Sequence, residues 1–105
     1  TTIENGVKID NLCHIGHNAV IKRDSVIIAM TQIGGSSITG PRAWLAPSVT
    51  TMNGIEVGRD TTVGLGSVVV KPVKENTTVI GNPAQPIEKY IKNKKNIEKL
   101  LKFDD

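Results

Sequence analysis

The chain has 105 residues, of which 38% are apolar, 22% are charged and 3% are aromatic. This length and balance indicate one globular domain rather than a disordered or membrane-spanning chain. The net charge of +3 divides into +1 over residues 1–87, with seven Lys/Arg and six Asp/Glu, and +2 over residues 88–105, with six and four. Such a small excess, without an arginine stripe or interleaved aromatic residues, argues against nucleic-acid binding.

A period of six residues organises the chain as far as Val69. Ten of the twelve residues at every sixth position from Ile3 are aliphatic, and the other two are Thr39 and Thr51. Two residues earlier in each hexad, from Thr1 to Ser67, the side chain is always small or β-branched. A helix repeats its apolar face every 3.6 residues and a strand every two, so a period of six indicates a short strand followed by a turn.

Three such strands close a triangular coil of 18 residues, and successive coils stack about 4.8 Å apart through parallel pairing. We therefore predict four coils over residues 2–73, with the aliphatic column filling the interior. A narrow prism has no room for aromatic rings, and Trp44 is the only one before residue 88. A glycine follows the residue of this every-sixth column in five hexads, where we expect it to permit the backbone angles of the turn: Gly16, Gly34, Gly40, Gly58 and Gly64.

The hexad phase ends after Val69, because Glu75 falls at the next inward position. We predict three segments: a β-helix over 1–73, an exit loop over 74–86, and a C-terminal helix and tail over 87–105. Apolar residues at helical spacing indicate an amphipathic helix from about 87 to 102 that covers the edges of the last coil. Nothing in the sequence covers the first coil, so we expect an N-terminal portion to precede Thr1.

Twelve hexads in one phase resemble the hexapeptide-repeat acyltransferases, over about residues 1–87. This resemblance implies an all-β fold, a left-handed parallel β-helix of about four triangular coils with a C-terminal α-helix. It also implies a homotrimer with the active site between subunits. Apolar residues at outward positions independently favour association of subunits: Val20, Val26, Ile28, Ile38, Trp44 and Val68.

The coil geometry also predicts a site at His17. This residue falls at a coil corner, and Gly35 lies one coil above it, followed by Asn53 and then Lys71. A glycine stacked on a corner imidazole leaves a notch with an unobstructed backbone N–H beside the ring. Acyl transfer to an amine needs such a general base and such an amide donor. The alternative for His17 is a solvated corner histidine without a role.

The segment Asp10-Asn11-Leu12-Cys13-His14-Ile15-Gly16-His17-Asn18 is similar to the active-site motif of the UDP-3-O-acylglucosamine N-acyltransferase family of the lipid A pathway. The resemblance implies that His17 is the base, that Gly35 supplies the backbone amide and that Asn11 lies near the substrate. His14 and Asn53 complete the substrate-binding candidates, and His14 on a flat face also suits a subunit contact. That family usually has a second histidine where this chain has Asn53-Gly54, and it carries an N-terminal uridine-binding domain.

The stretch Gly64–Val73 and the later Gly81-Asn82-Pro83-Ala84 are similar instead to coenzyme-A-dependent sugar acetyltransferases. This similarity implies a donor site at Gly64, Gly66, Ser67, Lys71 and Lys74, where the lysines offer charge to phosphates. Solvated loop lysines are an equal alternative. Acyl-CoA, such as acetyl-CoA, and acyl-acyl-carrier-protein both remain open as donors.

The γ-class carbonic anhydrases share this fold and bind zinc through three histidines, whereas this chain has two that point in different directions, so we expect no metal. The single cysteine, Cys13, fits a core thiol in a reducing bacterial cytoplasm. No segment has the about 18 apolar residues of a membrane span.

We therefore expect an acyltransferase that moves an acyl group from a thioester to the amino group of a nucleotide-linked sugar in envelope polysaccharide or lipopolysaccharide biosynthesis. The alternatives are O-acetylation of a sugar hydroxyl and a noncatalytic, trimerising β-helix module.

Overall fold

The structure is a computed structural model that describes residues 1–101. Twelve strands of two residues each recur every six residues: β1 Thr2–Ile3, β2 Lys8–Ile9, β3 His14–Ile15, β4 Val20–Ile21, β5 Val26–Ile27, β6 Gln32–Ile33, β7 Ile38–Thr39, β8 Trp44–Leu45, β9 Thr50–Thr51, β10 Glu56–Val57, β11 Thr62–Val63 and β12 Val68–Val69. Strands β13 (Thr78–Gly81) and β14 (Ala84–Pro86) and the helix α1 (Ile87–Leu101) follow.

The strands form three sheets, which are the three faces of the prism, and strands β1 to β13 pair in parallel within their faces. Face A is ordered β1-β4-β7-β10, face C is ordered β3-β6-β9-β12, and face B is ordered β2-β5-β8-β11-β13-β14. Partners within the coils lie 18 residues apart, as in the pairs Val20 with Ile38 and Ile27 with Leu45. The predicted parallel β-helix of four triangular coils with a C-terminal helix is confirmed.

Both predicted columns form the interior of the prism. Ile21, Ile27, Leu45 and Val63 are completely buried, and so is Ser25 from the column of small residues. In the first coil Ile3 is 49% exposed and Ile9 37% exposed, because no described coil lies below them. Small residues fit where two walls converge, and long aliphatic side chains fill the centre.

Three corners separate the faces, and each keeps one name below. The His17 corner comprises residues 16–19, 34–37, 52–55 and 70–72, between faces C and A. The Arg42 corner comprises residues 4–7, 22–25, 40–43, 58–61 and 74–77, between faces A and B. The Leu12 corner comprises residues 10–13, 28–31, 46–49 and 64–67, between faces B and C.

In every corner segment of four residues the third residue has a positive φ, whether or not it is glycine, as in Asn18 (54°) and Arg42 (56°). The five glycines that follow the every-sixth column have no positive φ, so the prediction that they permit turn angles is wrong. Glycine is needed at these positions because successive coils pack closely there. A Cβ on Gly16 or Gly40 would lie 2.6 Å from a backbone nitrogen of the next coil, and one on Gly64 would lie 2.7 Å from the Ile80 side chain.

The β-helix continues beyond Val69 in a shifted register, and the predicted exit loop over 74–86 is therefore wrong. Val73 forms a bridge to Val57, and β13 pairs with β11 through Val63 and Val79, so the spacing is 16 residues instead of 18. Val73 and Val79 are each 7% exposed and fill the interior that Glu75 would have entered in the old register. β14 then pairs antiparallel with β13.

Helix α1 is present over Ile87–Leu101, close to the predicted 87–102, and residue 102 lies outside the described residues. Its packing differs from the prediction. None of its residues is buried, and its main contacts are with β13 and β14 rather than across the last coil. Leu100 remains 81% exposed. No helix within residues 1–101 is long and apolar enough to cross a membrane.

Candidate functional site

His17, Gly35 and Asn53 stack in three successive coils at the His17 corner, as predicted. The carbonyl of His17 accepts a hydrogen bond from Ser36 N–H at 2.7 Å, and the carbonyl of Gly35 accepts one from Gly54 N–H at 2.9 Å. These bonds between coils hold the backbone under the side chains. His17 and Asn53 are exposed, whereas Gly35 is buried between them.

The imidazole of His17 lies directly against the α-carbon of Gly35. A Cβ built on Gly35 would lie 2.6 Å from Cδ2 and 3.0 Å from Cε1 of the ring, and closer still to Nε2. Only glycine therefore permits this placement of the ring. The prediction that a glycine makes room for the corner imidazole is confirmed.

The backbone N–H of Gly35 is engaged, so the prediction of an unobstructed amide beside the ring is wrong. It donates a hydrogen bond to Oδ1 of Asn53 at 2.9 Å. The neighbouring N–H of Gly34 donates to Oγ1 of Thr51 at 3.1 Å. Two consecutive amides at this corner thus bind side-chain oxygens of the next coil. The hexad pattern contains no signal for this, because Asn53 and Thr51 satisfy the repeat equally well without these bonds.

The orientation of the His17 ring involves Asn18, whose side-chain amide lies 3.4 Å from Nδ1. The two ends of a carboxamide differ only in which atom is oxygen, and the neutral imidazole has one donor and one acceptor nitrogen. In the structure the NH₂ group of Asn18 faces Nδ1, which makes Nδ1 the acceptor and puts the proton of the neutral ring on Nε2. With the carboxamide turned over, its oxygen faces Nδ1, Nδ1 holds the proton and Nε2 is the free base. Nε2 is also the nitrogen that contacts Gly35.

An open groove of about 350 Å³ runs along this corner and the adjoining part of face C. His14 lies in this groove on the outward side of β3 and pairs in register with Gln32 of β6, which pairs with Thr50 of β9. Three polar residues that line the groove were not predicted as site residues: Gln32, Thr50 and Thr51. The sequence contained a signal for each, because Gln32 and Thr50 follow His14 at 18-residue spacing and Thr51 belongs to the inward column.

Asn11 lies away from the groove, at the Leu12 corner on the other side of face C. Its backbone N–H donates to its neighbour Asp10 at 2.7 Å, and its carbonyl accepts from Met30 N–H at 3.0 Å. The structure brings together His14, His17, Gly35 and Asn53 in one groove, and Asn11 does not line it.

The five predicted donor-site residues separate into two places. Gly64, Gly66 and Ser67 lie at the Leu12 corner, where Ser67 is completely buried. The Ser67 hydroxyl donates to Gly64 O at 2.7 Å and accepts from Gly81 N–H at 3.1 Å, so its bonds are internal to the fold. Open space surrounds Gly66, whose φ is +68°.

Lys71 and Lys74 are exposed and line a second cavity, of about 290 Å³, between the last coil and the β13–β14 hairpin. Its walls include the apolar Val69, Val79 and Ala84. This arrangement of two ammonium groups beside an apolar cleft suits a ligand with both charged and apolar parts.

Neither histidine joins a metal-binding cluster. Among residues 1–101 there is no group of three or more His, Cys, Asp or Glu side chains placed to hold a metal ion. Cys13 is half-buried, and its thiol lies 3.2 Å from the carbonyl oxygen of Ile28.

An ion pair with two hydrogen bonds lies at a different corner. Arg42 binds Asp60 through two hydrogen bonds, Nε to Oδ1 at 2.7 Å and Nη2 to Oδ2 at 2.9 Å. These bonds lower the pKa of Asp60 and raise the pKa of Arg42. Arg59 pairs with Glu75 at 3.0 Å in the coil above.

Several curated proteins are similar to this chain over most of its length. A UDP-3-O-acylglucosamine N-acyltransferase of Caulobacter sp. (strain K31) is 32% identical over 92 residues, which cover 88% of this chain and 27% of the relative. UDP-3-O-acylglucosamine N-acyltransferase 1 of Sulfurimonas denitrificans is 33% identical over 103 residues, 97% of this chain and 32% of the relative. The chain thus spans about a quarter to a third of these relatives. No protein-family model matches the chain.

Solved structures share the fold. A serine acetyltransferase in complex with CoA superposes with a TM-score of 0.77 and 26% identity, covering 81% of this chain and 39% of that one. The serine acetyltransferase of Neisseria gonorrhoeae with serine gives a TM-score of 0.73 at 23% identity, covering 81% and 39%. The chain therefore carries the left-handed parallel β-helix of the hexapeptide-repeat acyltransferases, and the resemblance predicted from the hexads is confirmed.

Proposed function

We propose that the protein containing this chain is an acyltransferase that moves an acyl group from a thioester to the amino group of a nucleotide-linked sugar, with His17 as general base. One observation supports this proposal most directly: the His17 imidazole packs against Gly35, whose N–H is bound by the Asn53 carboxamide, and all three residues line an open groove. A base and amide donors at one point are the groups that acyl transfer requires.

The reaction consumes no reactant beyond the two substrates. The amine nitrogen attacks the thioester carbonyl carbon, and the carbonyl electron pair moves to oxygen while Nε2 of His17 takes a proton from the nitrogen. The oxyanion forms at the Gly35–Asn53 pair. Its collapse restores the carbonyl, breaks the carbon–sulfur bond and expels a thiolate, which takes the proton back from the imidazolium. The products are an amide and a free thiol.

The acceptor rests on the relatives and on the groove. The relatives' names describe N-acylation of an acylglucosamine linked to UDP. His14, Gln32 and Thr50 form a polar column on face C beside His17 and can hydrogen-bond the hydroxyl groups of a sugar ring. The resemblance implies that the family usually has a second histidine where this chain has Asn53-Gly54, and we propose that this difference affects the choice of acceptor.

For the donor we propose acyl-CoA, bound with its phosphates near Lys71 and Lys74. A similar β-helix binds CoA in a serine acetyltransferase. Solvent exposure of both lysines and the apolar cleft between them support this placement. Acyl-acyl-carrier-protein is the alternative donor, and it carries the same thioester. The remaining residues proposed for the donor, Gly64 and Gly66, offer a side-chain-free edge along which a pantetheine arm can lie, whereas Ser67 acts by supporting that edge from inside.

We propose that three copies associate and that a neighbouring subunit closes the groove. Val20, Ile38 and Val26 are only half-buried on faces A and B, and Trp44 is 48% exposed. Such apolar surface is typical of subunit interfaces. Soluble thioester donors and the single free thiol, Cys13, fit a reaction in the bacterial cytoplasm.

An assay of the full-length protein tests the proposal. Acyl-CoA and acyl-acyl-carrier-protein are each offered with an amino-sugar nucleotide and with its hydroxyl counterpart, and thiol release and product mass are measured. We expect amide formation with the amino sugar. Transfer to the hydroxyl sugar alone would establish O-acetylation instead. Neither transfer nor binding of either donor in a titration would favour the noncatalytic trimerising module.

A further inference from the structure

The side-chain amide of Asn53 has one orientation because it is hydrogen-bonded to the backbone N–H of Gly35. A backbone N–H is only a donor, so the carboxamide atom 2.9 Å from Gly35 N must be the oxygen. Such a contact removes the usual ambiguity between the two ends of an Asn side chain. The NH₂ group is therefore the free end of the Asn53 side chain.

That NH₂ group is open to the groove. Asn53 is exposed and lines the groove with His17 and Gly35. Within residues 1–101, Nδ2 of Asn53 has no hydrogen-bond acceptor. Its two N–H donors are thus available to whatever occupies the groove.

From these contacts we infer that the donor to the oxyanion is Nδ2 of Asn53, and that the N–H of Gly35 acts one step behind it by holding Oδ1. This inference rests on the proposed function and names a catalytic residue for it. His17 Nε2 lies next to the position that a Cβ on Gly35 would occupy, while Asn53 Oδ1 accepts a hydrogen bond from the Gly35 nitrogen. The base and the NH₂ group therefore flank one glycine. With the tetrahedral carbon between them, the attacking nitrogen can give its proton to His17 while the oxyanion accepts a hydrogen bond from Asn53.

Two physical reasons favour this arrangement over direct donation by Gly35. Donation by Gly35 would first require its hydrogen bond to Asn53 to break and the side chain to leave the groove. A donor already in place stabilises the transition state without that reorganisation. In addition, the Gly35 N–H polarises the carboxamide through its oxygen, and hydrogen bonds linked in this way strengthen one another.

The inferred step leaves the balance of the reaction unchanged. The amine nitrogen bonds to the thioester carbon as its proton passes to His17, and the negative oxygen accepts a hydrogen bond from Nδ2. When the thiolate leaves, the oxygen returns to a neutral carbonyl and the hydrogen bond weakens. Asn53 neither gains nor loses a proton.

Two substitutions in the full-length protein separate this inference from its alternatives. N53A removes the NH₂ group and also frees the Gly35 N–H. N53D keeps an oxygen that accepts from Gly35 but replaces the NH₂ group with a second oxygen. We expect both variants to lose about 10²–10³ in kcat with KM little changed, as for the loss of one oxyanion donor. N96A and N96D, at an exposed position of α1, are the matched controls and should keep wild-type turnover.

The alternatives give opposite results. If Gly35 donates directly, N53A uncovers the donor and keeps or raises kcat. If Asn53 only stabilises the backbone of the corner, N53D retains the hydrogen bond from the Gly35 N–H and keeps wild-type kcat. Either result overturns the inference while leaving an active wild-type enzyme and the proposed function intact. A wild-type protein without acyl transfer activity would overturn the proposed function, and this inference with it. Thermal unfolding of each variant confirms that the exposed substitution leaves the fold in place.

Discussion

The His17 corner and the Arg42 corner use the same turn and differ only in their side chains. Two ion pairs lie at the Arg42 corner, Arg42 with Asp60 and Arg59 with Glu75. The Glu4 carboxylate there accepts a hydrogen bond from the backbone N–H of Arg23 at 2.9 Å. At the His17 corner there are no charged partners in the stack of His17, Gly35 and Asn53, and the donors and acceptors face a groove.

Backbone geometry does not distinguish the two corners. Asn18 and Ser36 at one, and Asp24 and Arg42 at the other, all have φ between 54° and 58°. The difference arises because the absence of a side chain at Gly35 leaves room for the His17 imidazole in the stack, whereas at the Arg42 corner the equivalent position is Pro41 and the neighbouring Arg42 is hydrogen-bonded to Asp60. In a regular repeat, a corner is a candidate site where a glycine leaves space and neighbouring polar groups have hydrogen-bonding capacity that the fold does not use.

The largest effect is expected for G35A at the His17 corner. A Cβ at this position displaces the His17 ring, and a displacement of about 1 Å in a catalytic group costs about 10²-fold in rate. The matched variant is G54A, one coil above, where a Cβ meets open space but φ is +71°. We expect G35A to lose turnover with a small change in stability. G54A should lose about 1 kcal/mol of unfolding free energy and retain turnover. Equal turnover in the two variants would contradict the proposed contact between His17 and Gly35.

A smaller difference is expected for the buried threonines that support each corner. T51V removes the acceptor of the Gly34 N–H, and T61V removes a donor to Gly58 O at 3.0 Å. We expect T51V to lower the unfolding free energy by about 1–3 kcal/mol, the cost of an unsatisfied buried donor, and T61V by a similar or smaller amount. Only T51V should also lower turnover, because it loosens Gly34 and Gly35. Chemical denaturation and steady-state kinetics measure both effects, and a fall in turnover for T61V alone would reverse the assignment of the corners.

The smallest effect is expected for D60N, since surface ion pairs contribute little to stability. The folded-state pKa of Asp60 is lowered, chiefly by its hydrogen bond to Arg42. The carboxylate therefore stabilises the fold above the ordinary Asp pKa of about 3.9, and this contribution is lost as the pH falls through the lowered value. The stability difference between wild type and D60N should be small at pH 7 and vanish in strong acid, with turnover unchanged throughout. A difference that grows on acidification would have the wrong sign for this pair.

Most of the fold could be predicted from the sequence, because every hexad repeats the same physical requirement. An aliphatic residue such as Ile27 or Leu45 must fill a narrow interior, and one phase puts an aliphatic residue at ten of the twelve positions. The register shift at Val73 was missed because it depends on which residue can enter the last coil. Glu75 continues the count of six, but Val73 is the apolar residue within reach, and burial of a carboxylate without a partner is costly.

The candidate site was partly predictable. The 18-residue spacing placed His17 under Gly35 and Asn53, and the structure has that stack. It could not show that Asn53 binds the Gly35 amide, since spacing gives the coil but not the side-chain rotamer. The same limit applies to Asn11, which matches a family motif yet lies at the Leu12 corner.

Turnover of H17A in the full-length protein, measured beside R42A, tests the central claim most directly. Loss of a general base should lower kcat by about 10²–10⁴, and both variants should fold because His17 and Arg42 are exposed. We expect H17A to show that loss and R42A to retain wild-type turnover. Wild-type turnover in H17A would contradict the assignment of acyl transfer to the His17 corner.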